Sequence, residues 1–491
     1  MWCVVRTRRS LKPGVVVLFV FLGVLASCAL GCTFDPAGAA VGGRDGGAMS
    51  GGPDGGGGGN VDDAGPGADP DSGPTECESG ETRCAADGRT LQTCSAAGDA
   101  FEDAVGCPFT CEGAQGAAHC TLASNVPQAA QEDCTDQAPP LTPTSGTVSI
   151  GDGVITCSAG CGGGSNTIDS AGSTAGPDMT YYCLSALDIP GGVTVDVPTN
   201  VAPSVALFVV GEAVVDGTID VRGKVSADDG ATRGEGGPGG GPGASRSNGN
   251  GAAGGGNCGG GGGTKADVIP PGDDAGGGGG GGGYAAAGGV GGGGQNSAGQ
   301  AGTGGNAGSI CGVPTLVPLA GGSGGGGGGD GSCMLMDCGW PGGGGGGAIQ
   351  ISAVRGVTVT GTIDASGGDG FGDTAMQNGR GGGGGGGSGG GILLEGSALA
   401  IDGDALLVQG GAGGVSDAGN GGGGGAQGTA AGGGGTTATA DRQGGSGGGG
   451  GGGRVRLNAT GVPSCSGVSS PDAACTAAEL VRGGGIGGQA Q

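Results

Sequence analysis

The chain is poor in the residues that most catalytic and binding sites need. Its 491 residues include one histidine and only 12 aromatic residues (2 Trp, 3 Tyr and 7 Phe). A Ser-His-Asp triad or a histidine-based zinc site would have to use His119, which lies between cysteines in a short segment. Aromatic platforms on which bases or sugar rings could stack are nearly missing as well. The composition therefore argues against all three kinds of site.

Basic residues are also scarce. The chain has 18 Lys and Arg against 44 Asp and Glu, a formal net charge of −26. Recognition of a phosphate backbone needs charge of the opposite sign, so we expect no nucleic-acid partner. Matches to G-x-G-x-x-G occur inside glycine runs, but none follows a βαβ pattern, so nucleotide binding is not indicated.

Glycine dominates what is present, with 143 residues. The glycines come in runs rather than at every third position, which excludes a collagen triple helix. Two interpretations of the runs stay open. They are flexible coils, as low-complexity composition usually indicates, or they are extended three-residue-per-turn helices packed side by side through backbone hydrogen bonds.

Residues 1–28 have the pattern of a signal peptide. Four basic residues (Arg6, Arg8, Arg9 and Lys12) precede the apolar run GVVVLFVFLGVLAS, and Cys28 follows it. The run is shorter than the roughly 20 residues that a membrane-spanning helix needs. The ending LASC resembles a bacterial lipobox, in which the cysteine is acylated and becomes the new N-terminus.

The lipobox resemblance implies a lipid anchor on Cys28 and a protein tethered to a membrane without spanning it. Ala29 in the next position is similar to the sorting signal for the outer membrane, so we expect the outer membrane or cell surface. Two alternatives stay open. The signal peptide could be cleaved as in an ordinary secreted protein, or Cys32 could be the lipidated cysteine. Twin-arginine export through TRRSLK (7–12) also stays open beside general secretion.

Two segments precede the main domain. Residues 29–75 contain almost no large apolar residue and are predicted to be a disordered Gly/Asp/Pro-rich linker. Residues 76–134 form a Cys-rich module that resembles small modules of secreted myxobacterial-type proteins. In an exported chain its cysteines should oxidise, and the disulfide candidates are Cys77, Cys84, Cys94, Cys107, Cys111 and Cys120. Their connectivity stays open, and so does a zinc site built from Cys107, Cys111 and the His119-Cys120 pair.

Further cysteines lie outside this module. Cys333 with Cys338 and Cys465 with Cys475 are disulfide candidates because each pair is close in sequence. Cys258 and Cys311 could close the largest glycine-rich segment, where a cross-link restricts the unfolded chain most.

From residue 142 the pattern changes to alternation. In AVVDGTIDV (213–221) and VTVTGTIDA (357–365), aliphatic residues recur at every second position, which is typical of a strand with one buried face. The pattern predicts inward-facing side chains at Ala213, Val215, Ile219 and Val221, and at Val357, Val359, Ile363 and Ala365.

Strands this short cannot bury their apolar faces alone, so similar copies must stack on one another. We therefore predict an all-β fold, a parallel β-helix or related solenoid over 142–460, with long Gly-rich insertions. The largest is a low-complexity insertion at 226–347, and residues 461–491 form a C-terminal tail. A β-sandwich built from hairpins stays open as the alternative.

The alternation of strands and glycine carries a family resemblance. GGGGAIQISA (344–353), GVTVTGTIDASGGDG (356–370) and GSGGGILLE (387–395) resemble Gly-rich secreted proteins of myxobacterial type that are often labelled PE-PGRS-like. The similarity extends over about 190–460. Mycobacterial members begin with a Pro-Glu helical domain, whereas this chain has a lipobox and a Cys-rich module there.

These features predict a non-enzymatic, surface-anchored lipoprotein with a structural or adhesive role, without cofactor or metal. Its partners would be a membrane, through the lipid anchor, and extracellular matrix or other cell-surface components.

Two further functions stay open. Outward carboxylates beside Arg or Lys could serve a secreted polysaccharide-acting β-helix enzyme, a lyase or hydrolase, or a calcium-dependent binding module. The candidates for such a ladder are Asp216, Asp220, Asp364, Asp402 and Asp404. Thr358, Thr360 and Thr362 suggest a flat outward threonine array.

Overall fold

A computed structural model describes the chain between Cys77 and Arg482. Within these ends it does not describe 78–80, 87–89, 96, 107–109, 113–117, 122–124, 127–130, 132–133, 135–136, 152–153, 163–166, 170–178, 200–202, 226–231, 267–273, 298–300, 332–338, 373–379, 403–404, 426–429, 441, 460–462 and 467–478. The described residues belong to one unit, residues 71–491. Among them only Gln131 is helical, and every element with defined bounds is a β-strand.

The described residues of the N-terminal module include five short strands. They are β1 (Thr82–Cys84), β2 (Thr90–Cys94), β3 (Phe101–Gly106), β4 (Thr110–Glu112) and β5 (His119–Thr121). Strands β1–β3 form one antiparallel sheet, and β4 pairs with β5 in another. Disulfides Cys77–Cys94 and Cys84–Cys111 cross-link the module. With Cys111 in a disulfide, it is not available as a thiolate ligand for the zinc site considered above.

Three larger sheets follow. The seven-stranded sheet contains, in spatial order, β24 (Leu406–Leu407), β21 (Thr362–Asp364), β14 (Thr218–Asp220), β11 (Thr194–Asp196), β6 (Thr147–Gly151), β7 (Val154–Cys157) and β8 (Thr167–Asp169). The five-stranded sheet contains β10 (Leu187–Ile189), β13 (Glu212–Val215), β20 (Gly356–Val359), β23 (Leu399–Asp402) and β26 (Ser464–Ser466). The six-stranded sheet contains β27 (Glu479–Arg482), β25 (Arg454–Ala459), β22 (Gly391–Gly396), β19 (Ala348–Ala353), β12 (Ser204–Val209) and β9 (Met179–Leu184).

Two small two-stranded sheets lie within the glycine-rich part. They pair β15 (Lys265–Ala266) with β16 (Ala275–Gly276), and β17 (Gly294–Gln295) with β18 (Ala301–Gly302).

Consecutive strands enter different sheets. Strands β12, β13 and β14 contribute one strand each to the six-, five- and seven-stranded sheets, and β19–β21 and β22–β24 repeat this order. We call each set of three consecutive strands, β12–β14, β19–β21 and β22–β24, a triplet. Within each sheet, the strand from one triplet pairs in parallel with the strand from the next triplet. Glycine occupies the corners where the chain turns from one sheet to the next. A Cβ on Gly217 would lie 2.4 Å from the carbonyl oxygen of Val193, so a larger residue does not fit there.

The two Gly-Thr-Ile-Asp segments are direct neighbours in the seven-stranded sheet. Ile219 pairs in register with Ile363, and Ala213 pairs with Val357 in the five-stranded sheet. The predicted inward-facing side chains are confirmed, because each is at most 1% exposed: Ala213, Val215, Ile219, Val221, Val357, Val359, Ile363 and Ala365.

All three large sheets contribute to the main apolar core. Leu207 and Ile351 come from the six-stranded sheet, Val215 from the five-stranded sheet, and Ile219 and Ile363 from the seven-stranded sheet. Full burial of such a side chain contributes roughly 1.5–3 kcal/mol. One short strand buries only one or two of them, so the core depends on several triplets being present together.

Strands β12, β19 and β22, in the middle of the six-stranded sheet, are buried on both faces, since every one of their residues is buried. One face joins the main core. The other packs against residues from the C-terminal part of the Cys-rich module and from the loop 313–320, in a second cluster that includes Val126, Phe208, Tyr284, Leu316, Leu319 and Leu393. The Cys134–Cys183 disulfide holds the first of these segments to β9.

The glycine runs are packed, and the run 276–283 shows how. All eight residues are buried. Successive N–H groups donate in turn to three neighbouring segments, 380–386, 258–264 and 289–292, over 2.7 to 2.9 Å. Gly276, Gly279 and Gly282 donate to the first, Gly277, Gly280 and Gly283 to the second, and Gly278 and Gly281 to the third. This three-residue period is that of an extended polyproline-II-type helix.

The carbonyl groups of the same run accept from three other segments. These are 326–329, 305–308 and 445–451. The run is thus surrounded by six others, and its buried peptide groups, which would be costly to leave unpaired, have partners. Fixing glycine costs more entropy than fixing any other residue, so these runs need such a complete hydrogen-bond network.

The same packing excludes side chains. A Cβ on Gly279, Gly280 or Gly281 would lie 2.2, 2.0 or 1.9 Å from a carbonyl oxygen of a neighbouring segment. Only glycine lets the backbones approach this closely, as at the axis of the collagen triple helix. Of the two interpretations of the runs, packed extended helices describe this part of the chain.

Two further disulfides lie among the described residues of the main domain. Cys157–Cys161 closes a short loop after β7, and Cys258–Cys311 joins residues 53 positions apart within the glycine-rich part. The second pair is the one suggested above as able to close the largest glycine-rich segment.

The predicted parallel β-helix or solenoid with Gly-rich insertions is wrong. The seven-stranded sheet is mixed, because β6 pairs antiparallel with β7 and β7 with β8. The sheets are open rather than closed, and the glycine runs form a packed body instead of insertions. Period-two alternation reports which face of a strand is buried, but not the direction in which its neighbours run. The sequence pattern therefore did not reveal the β6–β8 hairpins.

Several predicted features lie outside the described residues. They are the signal peptide with Cys28, the linker 29–75, and Cys107, Cys333, Cys338 and Cys475. For Cys120 and Cys465 only the backbone is described. In the described part of the chain, no helix has the length and apolarity needed to cross a membrane.

Candidate functional site

The outer face of the seven-stranded sheet carries two rows of polar residues. Strands β6, β11, β14 and β21 each present threonine, an apolar residue and then serine or aspartate, all in one register. The apolar residues Val148, Val195, Ile219 and Ile363 are at most 1% exposed. Since alternate residues of a strand face opposite sides, the polar residues share the outer face.

We call the first set the threonine row: Thr147, Thr194, Thr218 and Thr362. The second set is the aspartate row: Asp196, Asp220 and Asp364, with Ser149 in the corresponding position of β6. Neighbouring strands in a sheet are about 4.8 Å apart. Hydroxyl and carboxylate groups are therefore repeated at about that interval across the sheet.

Two cations accompany the aspartate row. Arg222 Nη2 lies 2.8 Å from Asp220 Oδ2, and Arg222 Nε lies 3.6 Å from Asp364 Oδ2. Lys224 Nζ lies 3.6 Å from Asp220 Oδ2 and 3.9 Å from Asp196 Oδ1. Three carboxylates thus share two positive charges that come from the segment directly after β14.

The central carboxylate has a shifted pKa. Burial by itself would raise the pKa of Asp220, but hydrogen bonds from the Arg222 side chain and backbone, with the charges of Lys224 and Arg222, outweigh it and lower that pKa. The hydrogen bond to Asp220 is also the main cause that raises the pKa of Arg222. Asp220 is therefore ionised at neutral pH and cannot act there as a proton donor.

A cavity of about 480 Å³ adjoins this cluster. Glu235 lines it and connects it to the sheet, because Thr199 Oγ1 donates to Glu235 Oε2 over 2.5 Å and the Lys224 amide donates to the Glu235 carbonyl over 2.8 Å. The other lining groups are Thr232, Arg233, Pro242 and glycine backbone. The cavity places polar groups and an arginine next to the aspartate row.

Of the five aspartates predicted to form a carboxylate ladder, only two lie side by side in the described structure. Asp220 and Asp364 are neighbours. Asp216 lies at the corner between β13 and β14, where Thr360 Oγ1 donates to it. Asp402 ends β23 in the five-stranded sheet, and Asp404 lies outside the described residues.

The predicted array of Thr358, Thr360 and Thr362 is not formed. Thr358 belongs to β20 in the five-stranded sheet, Thr360 to a corner, and Thr362 to β21 in the seven-stranded sheet. The chain turns between these residues, so their side chains do not share a face. The observed row instead takes one threonine from each of four strands.

Sequence reasoning missed Asp196 and the two cations. The signal was present as the repeated pattern Thr-x-Asp, in TVD (194–196) and in both TID segments, with Ser149 completing TVS (147–149). A search for the pattern across strands, rather than along one strand, would have found the rows. In the described residues, no group of three His, Cys, Asp or Glu side chains is arranged to hold a metal ion.

Comparisons of the chain with protein-family models, curated proteins and solved structures give no match.

Proposed function

We propose that this protein is a surface-anchored lipoprotein with a structural or adhesive role, tethered through Cys28 to the outer membrane or cell surface. The threonine and aspartate rows form its contact surface. Extracellular matrix or other cell-surface components are its partners, and it performs no catalysis.

The observation that supports this proposal most is the register of the rows. Four strands repeat the same outward pair of polar positions, which provides a repetitive set of hydrogen-bonding groups. A repetitive surface suits a repetitive partner, because each added contact acts at a raised effective concentration. The buried core and the packed glycine runs keep such a surface rigid, which limits the entropy lost on binding.

The adhesive role is tested by replacing hydroxyl groups in the row. Thr194→Val with Thr218→Val keeps side-chain shape and removes two hydroxyls from the centre of the threonine row. Beads coated with the purified mature protein should retain whole bacterial cells, and the double variant should retain roughly tenfold fewer, a loss of about 1.4 kcal/mol.

Thr358→Val is the matched control, since Thr358 is a half-buried strand threonine in the five-stranded sheet. It should leave cell retention unchanged. If wild type and the double variant retain cells equally, the rows are not the adhesive contact surface.

The anchor is tested separately on full-length protein expressed in a Gram-negative host. Wild type should fractionate with membranes, and its mature N-terminus should be an acylated Cys28 by mass spectrometry. Cys28→Ser should abolish acylation and release the protein, whereas Cys32→Ser should behave as wild type. An unmodified N-terminus on the wild-type protein would refute anchoring.

A polysaccharide-acting enzyme is the second candidate. The aspartate row beside Arg222 and Lys224 is the observation that favours it. It ranks lower because the lowered pKa of Asp220 deprives the row's central carboxylate of a proton to donate. Release of reducing ends from cell-surface polysaccharide, abolished by Asp364→Asn, would favour the enzyme over adhesion.

A further inference from the structure

Four asparagines of the chain are followed directly by glycine, and three of them lie in the described residues: Asn248, Asn250 and Asn420. The side-chain amide of such an asparagine is open to attack by the next backbone nitrogen, because glycine has no side chain to obstruct the approach. The three sites have the same two residues. Differences in their reactivity therefore come from how the fold holds each of them.

Asn248 lies at an exposed bend of the chain. A Cβ on Gly249 would meet nothing within 4 Å, so open space surrounds the residue whose nitrogen attacks. The Gly249 amide donates to Ser247 Oγ over 3.1 Å, which is a local contact within the same bend. Exposed bends of this kind are where a chain tolerates a change in its backbone.

Asn250 is only two residues away, but both of its reacting groups are tied to other segments. Asn250 Oδ1 accepts from the Lys265 amide over 2.8 Å. The Gly251 amide donates to the Gly263 carbonyl over 2.8 Å. A Cβ on Gly251 would lie 2.0 Å from the Gly327 carbonyl oxygen, so this backbone is closely packed. The attack on Asn250 therefore requires a local opening of the glycine-rich part.

Asn420 is exposed, but the glycine after it is packed. A Cβ on Gly421 would lie 1.8 Å from the Gly413 carbonyl oxygen. The Asn420 carbonyl accepts from Thr436 Oγ1 over 2.9 Å, which holds the peptide between Asn420 and Gly421. The rotation that would bring the Gly421 nitrogen to the Asn420 side chain is opposed by these contacts.

We propose that Asn248 is a site of spontaneous modification, at which the folded chain forms a cyclic imide and then aspartate and isoaspartate. Asn250 and Asn420 keep their amides as long as the chain is folded. The proposal is independent of lipid anchoring and of adhesion through the rows.

The reaction joins adjacent residues only. The ring contains the Cα, Cβ, Cγ and carbonyl carbon of Asn248 and the nitrogen of Gly249, so its closure spans no gap between segments, and attack within one chain replaces a bimolecular encounter. The Gly249 nitrogen attacks Asn248 Cγ and gives its proton to solvent. The Cγ–Nδ2 bond breaks, Nδ2 takes a proton from solvent, and ammonia leaves.

Water then opens the cyclic imide. Its addition at Cγ gives aspartate, and its addition at the main-chain carbonyl carbon gives isoaspartate. Water is the only co-reactant, and nothing is oxidised or reduced. Either product adds a negative charge at the bend, two residues from Arg246, whose Cζ lies 4.8 Å from the centroid of the Trp340 ring. Isoaspartate also adds a methylene group to the main chain, for which the open space around Gly249 leaves room.

The test uses one peptide that contains two of the sites. Trypsin releases residues 247–265, with Asn248 and Asn250, by cleavage after Arg246 and Lys265. Folded wild-type protein is kept at mildly alkaline pH, and samples taken over time are reduced, alkylated and digested. Electron-transfer fragmentation in the mass spectrometer locates each new acid and distinguishes isoaspartate from aspartate.

In the folded protein, Asn248 should convert at least about tenfold faster than Asn250, because only Asn250 needs a local opening. Asn420 should keep its amide. In protein unfolded by guanidinium chloride, Asn248 and Asn250 should convert at similar rates. Equal rates at Asn248 and Asn250 in the folded protein would overturn the proposal, as would an intact Asn248 in folded protein when the unfolded chain reacts.

A variant identifies the attacking group. Gly249→Ala should slow conversion of Asn248 by roughly tenfold or more, because a side chain next to the nitrogen hinders its approach, while the fold has room for the new Cβ. Gly423→Ala, at another glycine whose Cβ would meet nothing within 4 Å, is the matched control and should leave the rate unchanged. An unchanged rate in Gly249→Ala would show that water attacks the amide directly and would refute the ring.

Discussion

Arg222 and Asp220, two residues apart, form a bidentate ion pair at the end of β14. Arg222 Nη2 donates to Asp220 Oδ2 over 2.8 Å, and Arg222 Nε donates to Oδ1 over 3.0 Å. The guanidinium also reaches Asp364 on the neighbouring strand, 3.6 Å away. This cation therefore lets two like-charged carboxylates lie side by side in the aspartate row.

The ion pair makes stability depend on pH. The folded-state pKa of Asp220 is lowered, so its contribution is present above the ordinary aspartate pKa of about 4 and is lost as the pH falls through the lowered value. Arg222→Ala should cost no more than about 1 kcal/mol near pH 7, because the arginine side chain is half exposed. The difference from wild type should vanish towards about pH 2 in urea unfolding experiments.

Arg355→Ala, at an exposed arginine outside the cluster, is the control and should show no pH-dependent difference. A cost for Arg222→Ala that stays constant down to acid pH would contradict the assignment of the pKa shift to this pair.

A methyl group within the packed glycine runs should be strongly destabilising. In Gly280→Ala the new Cβ would lie 2.0 Å from the Asn306 carbonyl oxygen, in a run enclosed by six others. We expect a loss of about 2 kcal/mol or more in the free energy of unfolding, measured by chemical denaturation.

Gly423→Ala is the matched control, because a Cβ there meets nothing within 4 Å. It should be neutral or slightly stabilising, since alanine restricts the unfolded chain. Equal losses for the two variants would mean that the runs are not packed as described.

The Cys258–Cys311 disulfide should stabilise the glycine-rich part. It closes 53 positions of chain, for which loop entropy predicts about 4 kcal/mol, against about 2 kcal/mol for Cys157–Cys161, which closes four. Each cysteine pair is replaced by alanine, and the loss in the free energy of unfolding is measured by thermal and denaturant unfolding. A larger loss from the short loop than from the long one would contradict this ranking.

Tyr284 should make the fold sensitive to alkali. Its hydroxyl donates to the Ala320 carbonyl over 2.7 Å, and burial raises the pKa of this hydroxyl despite the opposing charge of Arg454. The unfolded chain ionises near pH 10 and the folded chain does not, so stability should fall by about 1.4 kcal/mol per pH unit above that point.

Tyr284→Phe should lack this part of the slope, because phenylalanine has no proton to lose. If the free energy of unfolding falls with the same slope for wild type and variant between about pH 9 and pH 11, this role for Tyr284 is excluded.

Local pattern predicted the buried faces of individual strands, and this prediction is confirmed at residues such as Ile219 and Ile363. Alternation depends only on the two-residue period of a strand, which the sequence carries directly. The same reasoning failed for Thr358, Thr360 and Thr362, because it treated them as one straight strand. The corner at Gly361, where a Cβ would meet the Gly217 carbonyl oxygen at 2.0 Å, separates them onto two sheets.

The candidate site could be predicted only in part for a related reason. Asp220 and Asp364 stood out because their surroundings repeat, but Asp196 came from a strand with a different local sequence.

By itself, the sequence determined which segments have an apolar residue at every second position and where glycine allows backbones to approach closely. It also determined that the net charge of the chain is strongly negative. These are local or compositional properties, and they can be read without knowing which segments are neighbours in the fold. Tertiary structure decided the direction of strand pairing, the enclosure of each glycine run by others, and the meeting of Asp196, Asp220 and Asp364 around two cations. Each of these depends on which backbone segments form hydrogen bonds with one another, and a peptide group does not encode its partner.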